Sequence, residues 1–155
     1  MTNTAEEWLL GALAGAVVTA VVLVLRRRAA ASPSSTMRAL AGEAVRRARE
    51  EHGVGLDYAP ESVERVEAIL AAIQAAAPGD ADVRRESLIW GAYVGEVLAR
   101  NGSGRWARPA AGRSSCPVRW QGREAFPVAW CRERLTEGAA HDVGAKYREA
   151  TGGPT

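Results

Sequence analysis

The sequence predicts an α+β fold: one N-terminal transmembrane helix, then a small domain of about five helices with a short two- to three-stranded antiparallel sheet. Three observations predict it. Residues 8–25 are uncharged and run straight into Arg26, Arg27 and Arg28. Apolar residues recur at intervals of three and four through several segments between Met37 and Asn101. Beyond Asn101 the texture turns to Gly, Ser, Pro and Arg punctuated by tryptophan, with short runs of strand character.

The apolar run gives a helix of roughly 27 Å at about 1.5 Å per residue, against a hydrocarbon core of roughly 30 Å. Arginines stay on the cytoplasmic side, so the three that follow the run orient the N-terminus outward and the domain inward. A cleavable signal would carry its positive charge before the apolar run, where this chain has Glu6 and Glu7. The expected order is therefore an extracytoplasmic tail at 1–7, a transmembrane helix at 8–25, and a basic stop with a flexible tether at 26–36. A soluble α+β domain at 37–150 and a disordered tail at 151–155 complete it. The expected protein is a single-pass one of the cell membrane. Gly11 and Gly15 form a G-x-x-x-G pair, a face on which two such helices could meet as a homodimer. Gly and Ala are abundant throughout, so composition alone also accounts for the pair.

Charge narrows the partners. Setting aside the N-terminal segment with Glu6, Glu7 and the arginine triplet, 17 basic residues stand against 16 acidic ones. A nucleic-acid binder needs a basic excess, so no nucleic-acid partner is expected. Lys146 is the only lysine, and the preference for Arg, Ala and Gly matches the codon usage of a G/C-rich bacterial genome. Cys116 and Cys131 are too few for a disulfide framework and lack metal-ligand spacing. They read as small, partly buried side chains, although a domain outside the membrane could join them. His52 and His141 read as structural or surface residues. No metal and no cofactor is expected.

Within the domain, Met37, Leu40, Ala44, Val45 and Ala48 predict an amphipathic helix to about Glu51, capped by Ser35 or Thr36 and ended by Gly53. A second helix is predicted over 61–77 from Val63, Val66, Leu70 and Ile73, with Pro60 in its first turn and Pro78 and Gly79 beyond its end. A third starts at an Asp80 or Asp82 cap and runs to Asn101; it is apolar almost all round, as the central buried helix should be. Gly91 and Gly95 lower its propensity by up to about 1 kcal/mol each, which calls for a close approach of another backbone. Strands are expected near Arg105–Arg108, Pro117–Trp120 and Glu124–Phe126, with a hairpin turn at Gln121, Gly122 and Arg123. Pro127 opens a fourth helix to Glu137, and a fifth runs from His141 to Ala150.

Glu96 is the anomaly of the third helix, a carboxylate amid apolar surface and one turn before Arg100. A partly buried Glu must be paired, hydrogen-bonded or neutral. Pairing with Arg100 gives it a structural part. Convergence with Asp57 or Glu61 would instead make a two-carboxylate, hydrolase-like site, which needs both groups within roughly 5–10 Å. The candidate polar cluster is Asp57, Tyr58, Glu61, Tyr93, Glu96, Arg100 and Trp106.

Three segments carry a family resemblance: LDYAPESVERVEAIL, GAYVGEVLARNGSGRW and FPVAWCRERLTEGAAHDVGAKYREA. Asp57, Tyr58, Pro60, Glu61 and Ser62, then Gly91, Ala92, Tyr93, Gly95 and Glu96, then Trp106, are unusual in combination. Over about residues 55–150 the pattern resembles an uncharacterised bacterial domain family, a domain of unknown function. The resemblance implies a compact α+β domain and no reaction, cofactor or catalytic residue. With no P-loop, dinucleotide glycine motif or nucleophile elbow in the sequence, the expected role is a protein-interaction or structural module. The alternative is a small membrane-tethered enzyme using Glu96 and a second carboxylate.

Overall fold

The computed structural model describes residues 32–152. The expected tail at 1–7, the span at 8–25 with Gly11 and Gly15, and the basic stop at 26–28 lie outside the described residues. Among the described residues no helix is long and apolar enough to cross a membrane.

The described part is α+β, as expected. Its helices are α1 (Pro33–His52), α2 (Ser62–Ala75), α3 (Asp80–Asn101), α4 (Pro127–Glu137) and α5 (Val143–Thr151), with a 3₁₀ turn at Ala139–His141. Strands β1 (Arg105–Trp106), β2 (Val118–Trp120) and β3 (Arg123–Ala125) form one antiparallel sheet in the order β1-β2-β3. Helix α3 is the hub, packing chiefly against α1 and α4. Every residue from Ile89 to Leu98 is buried, and Trp90 and Tyr93 are fully enclosed.

The two glycines of α3 have the packing reason their propensity demands. A Cβ on Gly91 would lie 2.5 Å from the Val128 Cα, so the first turn of α4 sits directly on the α3 backbone. At Gly95 the visitor is a ring: a Cβ there would lie 2.1 Å from Cζ2 of Trp106. The expected close backbone approach therefore occurs at Gly91, and an indole takes its place at Gly95.

Several boundaries differ from the sequence reading, each for a local reason. Helix α1 begins at Pro33, inside the expected tether, because the fixed φ of proline suits a first helical turn. Pro60 and Glu61 form a turn ahead of α2, with the Ser62 and Val63 amides bonded to the Ala59 and Pro60 carbonyls. Gly79, not an aspartate, stands at the N-cap of α3; Asp80 and Asp82 lie in the first turn, where their charge meets the helix dipole. Arg123 is a strand residue paired with Trp120. The hairpin turns on Gln121 and Gly122 alone, both left-handed at φ 47° and 76°, as a two-residue turn of this kind requires. His141 closes the 3₁₀ turn, and Asp142 caps α5 by accepting the Ala145 amide at 2.6 Å. Helix α5 continues through Thr151, at the start of the expected disordered tail, and ends on Gly152 at φ 75°.

Candidate functional site

Five of the seven candidate residues form one chain of contacts beneath the start of α2. Glu96 is 4% exposed. Its Oε1 accepts the indole N–H of Trp106 at 3.1 Å, and its Oε2 accepts Nε of Arg100 at 3.3 Å. The Arg100 guanidinium lies 3.5 Å from the centre of the Tyr58 ring, a cation–π contact. On the Tyr93 side, the Tyr58 and Tyr93 rings stack with centroids 4.9 Å apart. The pairing of Glu96 and Arg100 expected from their spacing is present, with the indole as a second donor.

Tyr58 holds this chain to the loop before α2. Its φ is 62°, a left-handed conformation that a bulky side chain adopts only when its surroundings enforce it. Asp57 Oδ1 accepts the Ala59 amide at 3.1 Å, closing an Asx turn around the residue. The Tyr58 amide donates to the Tyr93 hydroxyl at 2.9 Å, and its carbonyl accepts Nδ2 of Asn101 at 3.0 Å. Ser62 Oγ donates to the Ala59 carbonyl at 2.5 Å, which leaves the Tyr93 hydroxyl as donor in its 2.7 Å bond to Ser62. Each hydroxyl thus accepts one proton and donates one. Burial raises the Tyr93 pKa, and that of Tyr58 against the pull of Arg100, so both phenols stay protonated in these roles.

The other two candidates stand apart. Asp57 is exposed, bonded into its own turn and 3.9 Å from Arg65. Glu61 is exposed at the head of α2 and makes no capping bond. Neither supplies a hydrogen bond to Glu96, whose two oxygens are engaged by Trp106 and Arg100.

Two further carboxylates, the buried Glu86 and the half-buried Glu67, escape sequence reasoning. Glu86, 3% exposed, accepts the Trp90 indole N–H at 2.9 Å and the Arg47 guanidinium at 3.1 Å, tying α1 to α3. Its signal is the same i,i+4 geometry on the apolar face of α3 that singled out Glu96. Glu67 accepts Arg134 Nε at 2.5 Å and the Val143 amide at 2.9 Å, joining α2, α4 and the start of α5. Arg134 also donates to Gln74 at 2.5 Å. These partners are 60 or more residues apart in sequence, so no local spacing announces them.

Both cysteines are free thiols. Burial raises the pKa of each, most for Cys131, which leaves neither activated as a nucleophile. His52 meets the Trp90 ring edge-on at 5.9 Å, and His141 Nε2 lies 2.9 Å from Glu137. Among the described residues no group of three or more His, Cys, Asp or Glu side chains could hold a metal. A groove of about 610 Å³ lies between the β2–β3 hairpin and helices α4 and α5, with Trp120 and Trp130 in its wall and Arg123, Lys146 and Glu149 around it. No family model matches the chain, and neither the curated proteins nor the solved structures give a match.

Proposed function

We propose that this is a single-pass membrane-anchored protein whose domain lies on the cytoplasmic side and acts as a protein-interaction or structural module. The observation that carries the non-catalytic part is the state of Glu96, with both oxygens bonded to donors of its own fold. A general acid or base needs an oxygen turned to substrate, and this one holds an indole and a guanidinium. The anchor rests on residues 8–25 and the arginines after them. Kinship with the uncharacterised bacterial domain family belongs to the same proposal and rests on the residue pattern alone. The Trp120 and Trp130 groove suits a peptide segment, since aromatic walls with a charged rim are the usual make-up of a recognition surface.

The test joins topology to contact. A C-terminal tag on the full chain is expected to resist protease in intact cells and to be cut after permeabilisation. A photo-reactive aromatic residue at position 130 is expected to give one discrete heavier adduct. Cleavage of the tag in intact cells overturns the orientation. A position-130 variant that yields no adduct, while the chain is present at its normal level, overturns the interaction role of the groove.

A further inference from the structure

The near-balance of charge conceals a sharp segregation. From Val97 to Arg123 the chain carries six arginines and no acidic residue. All six are exposed. The described residues hold 17 basic and 16 acidic side chains, so outside this segment 11 basic residues face 16 acidic ones. The positive excess of the described residues therefore comes from this one segment.

The arm is β1, β2 and the loop joining them, bearing Arg105, Arg108, Arg113 and Arg119. Burial alternates along these strands, with Trp106, Val118 and Trp120 turned to the core and Arg105 and Arg119 to solvent. Register sets Arg105 directly opposite Arg119. Like charges in that arrangement are destabilising. Among the described residues only Arg119 of the four pairs with a carboxylate, Glu124 at 2.7 Å, and Arg113 lies over the Phe126 ring at 5.0 Å. A repulsive pair kept at the surface is relieved by an anion outside the molecule.

We infer that this arginine arm docks on the phosphate headgroups of an anionic phospholipid surface. The inference deepens the proposed anchor and rests on it, because tethering to a bilayer places headgroups at high effective concentration. An anionic leaflet attracts the exposed arginines of the arm, whereas acidic residues outnumber basic ones in the rest of the described residues. A nucleic acid would need a basic surface broad enough to follow its backbone, whereas outside this segment 16 acidic residues outnumber 11 basic ones. Each arginine near an anionic surface contributes about 1 kcal/mol, or roughly fivefold, so removing Arg105 and Arg119 together should lower the docked-to-undocked ratio about 25-fold.

The experiment is amide hydrogen exchange on the full chain in nanodiscs of phosphatidylcholine alone or mixed with phosphatidylglycerol. The expected result is slower exchange over residues 103–119 in the mixed discs only. High salt or the double substitution R105Q/R119Q should abolish it, with α3 unchanged as a control for folding. Equal exchange in the two disc types overturns the inference. So does stronger protection of the arm by an added oligonucleotide than by phosphatidylglycerol, or protection by inorganic phosphate in discs of phosphatidylcholine alone. If the chain does not enter discs, the anchor fails by itself. Sedimentation of the same chain with phosphatidylglycerol vesicles then decides the docking: pelleting that R105Q/R119Q abolishes sustains it, and no pelleting overturns it.

Discussion

Trp106→Ala is expected to destabilise the domain more than any other single truncation in the β-hairpin region. Losing a buried tryptophan costs about 3–5 kcal/mol, and here the cavity would open against Gly95, whose missing Cβ leaves nothing to fill it. A further penalty of about 1–3 kcal/mol follows because Glu96 Oε1 loses its indole donor while remaining buried. Against a total stability of about 5–15 kcal/mol, the variant should be largely unfolded or close to it. Trp106→Phe separates the two terms, since it keeps a ring over Gly95 and removes only the N–H. Urea unfolding followed by tryptophan fluorescence should give the phenylalanine variant a loss near the smaller figure. Equal losses for both variants would mean that the hydrogen bond, not the packing, dominates.

Arg134→Ala carries the second largest expected effect. Arg134 is buried in α4 and bonded to Glu67 and Gln74 of α2. Removing one member of a buried ion pair costs about 3–5 kcal/mol, because the remaining charge loses its partner. Glu67 also accepts the Val143 amide, so its displacement would loosen the first turn of α5 as well. Combining Arg134→Met with Glu67→Gln removes both charges and keeps an acceptor for Val143. The double variant should therefore recover most of the loss, as the same unfolding measurement would show. A double variant as unstable as Arg134→Ala would contradict this account of the pair.

Much of this fold is legible in the chain because its signals are local. The apolar spacing of α1, α2 and α3, the Gly91 and Gly95 interruptions, and the Gln121 and Gly122 turn each act over a few residues. Glu96 with Arg100 is legible for the same reason, being one helical turn apart. The arrangement around Tyr58 is legible only as a list of unusual residues. Its left-handed backbone depends on Tyr93 and Asn101, which reach it from α3. The Arg134 bridge is invisible because its partners meet only after α2 and α4 have packed. Glu61 shares a motif with Tyr58 and Ser62 but is exposed ahead of α2, outside their hydrogen bonds. The start of α1 is not legible in the chain, because Ser and Pro suggest a linker although proline is also a good first helical residue.

The central claim is that Glu96 serves the fold and not a reaction, and its own replacement tests this most directly. Groups kept for catalysis are commonly held at the expense of stability, so removing them tends to stabilise the protein. A structural carboxylate behaves in the opposite way. Unfolding free energies of Glu96→Leu, Trp106→Phe and the double variant complete a cycle. The account predicts that Glu96→Leu is destabilising and that the pair is coupled by about 0.5–3 kcal/mol. A Glu96→Leu protein more stable than the original, with no coupling to Trp106, would contradict it and return Glu96 to the list of reactive groups.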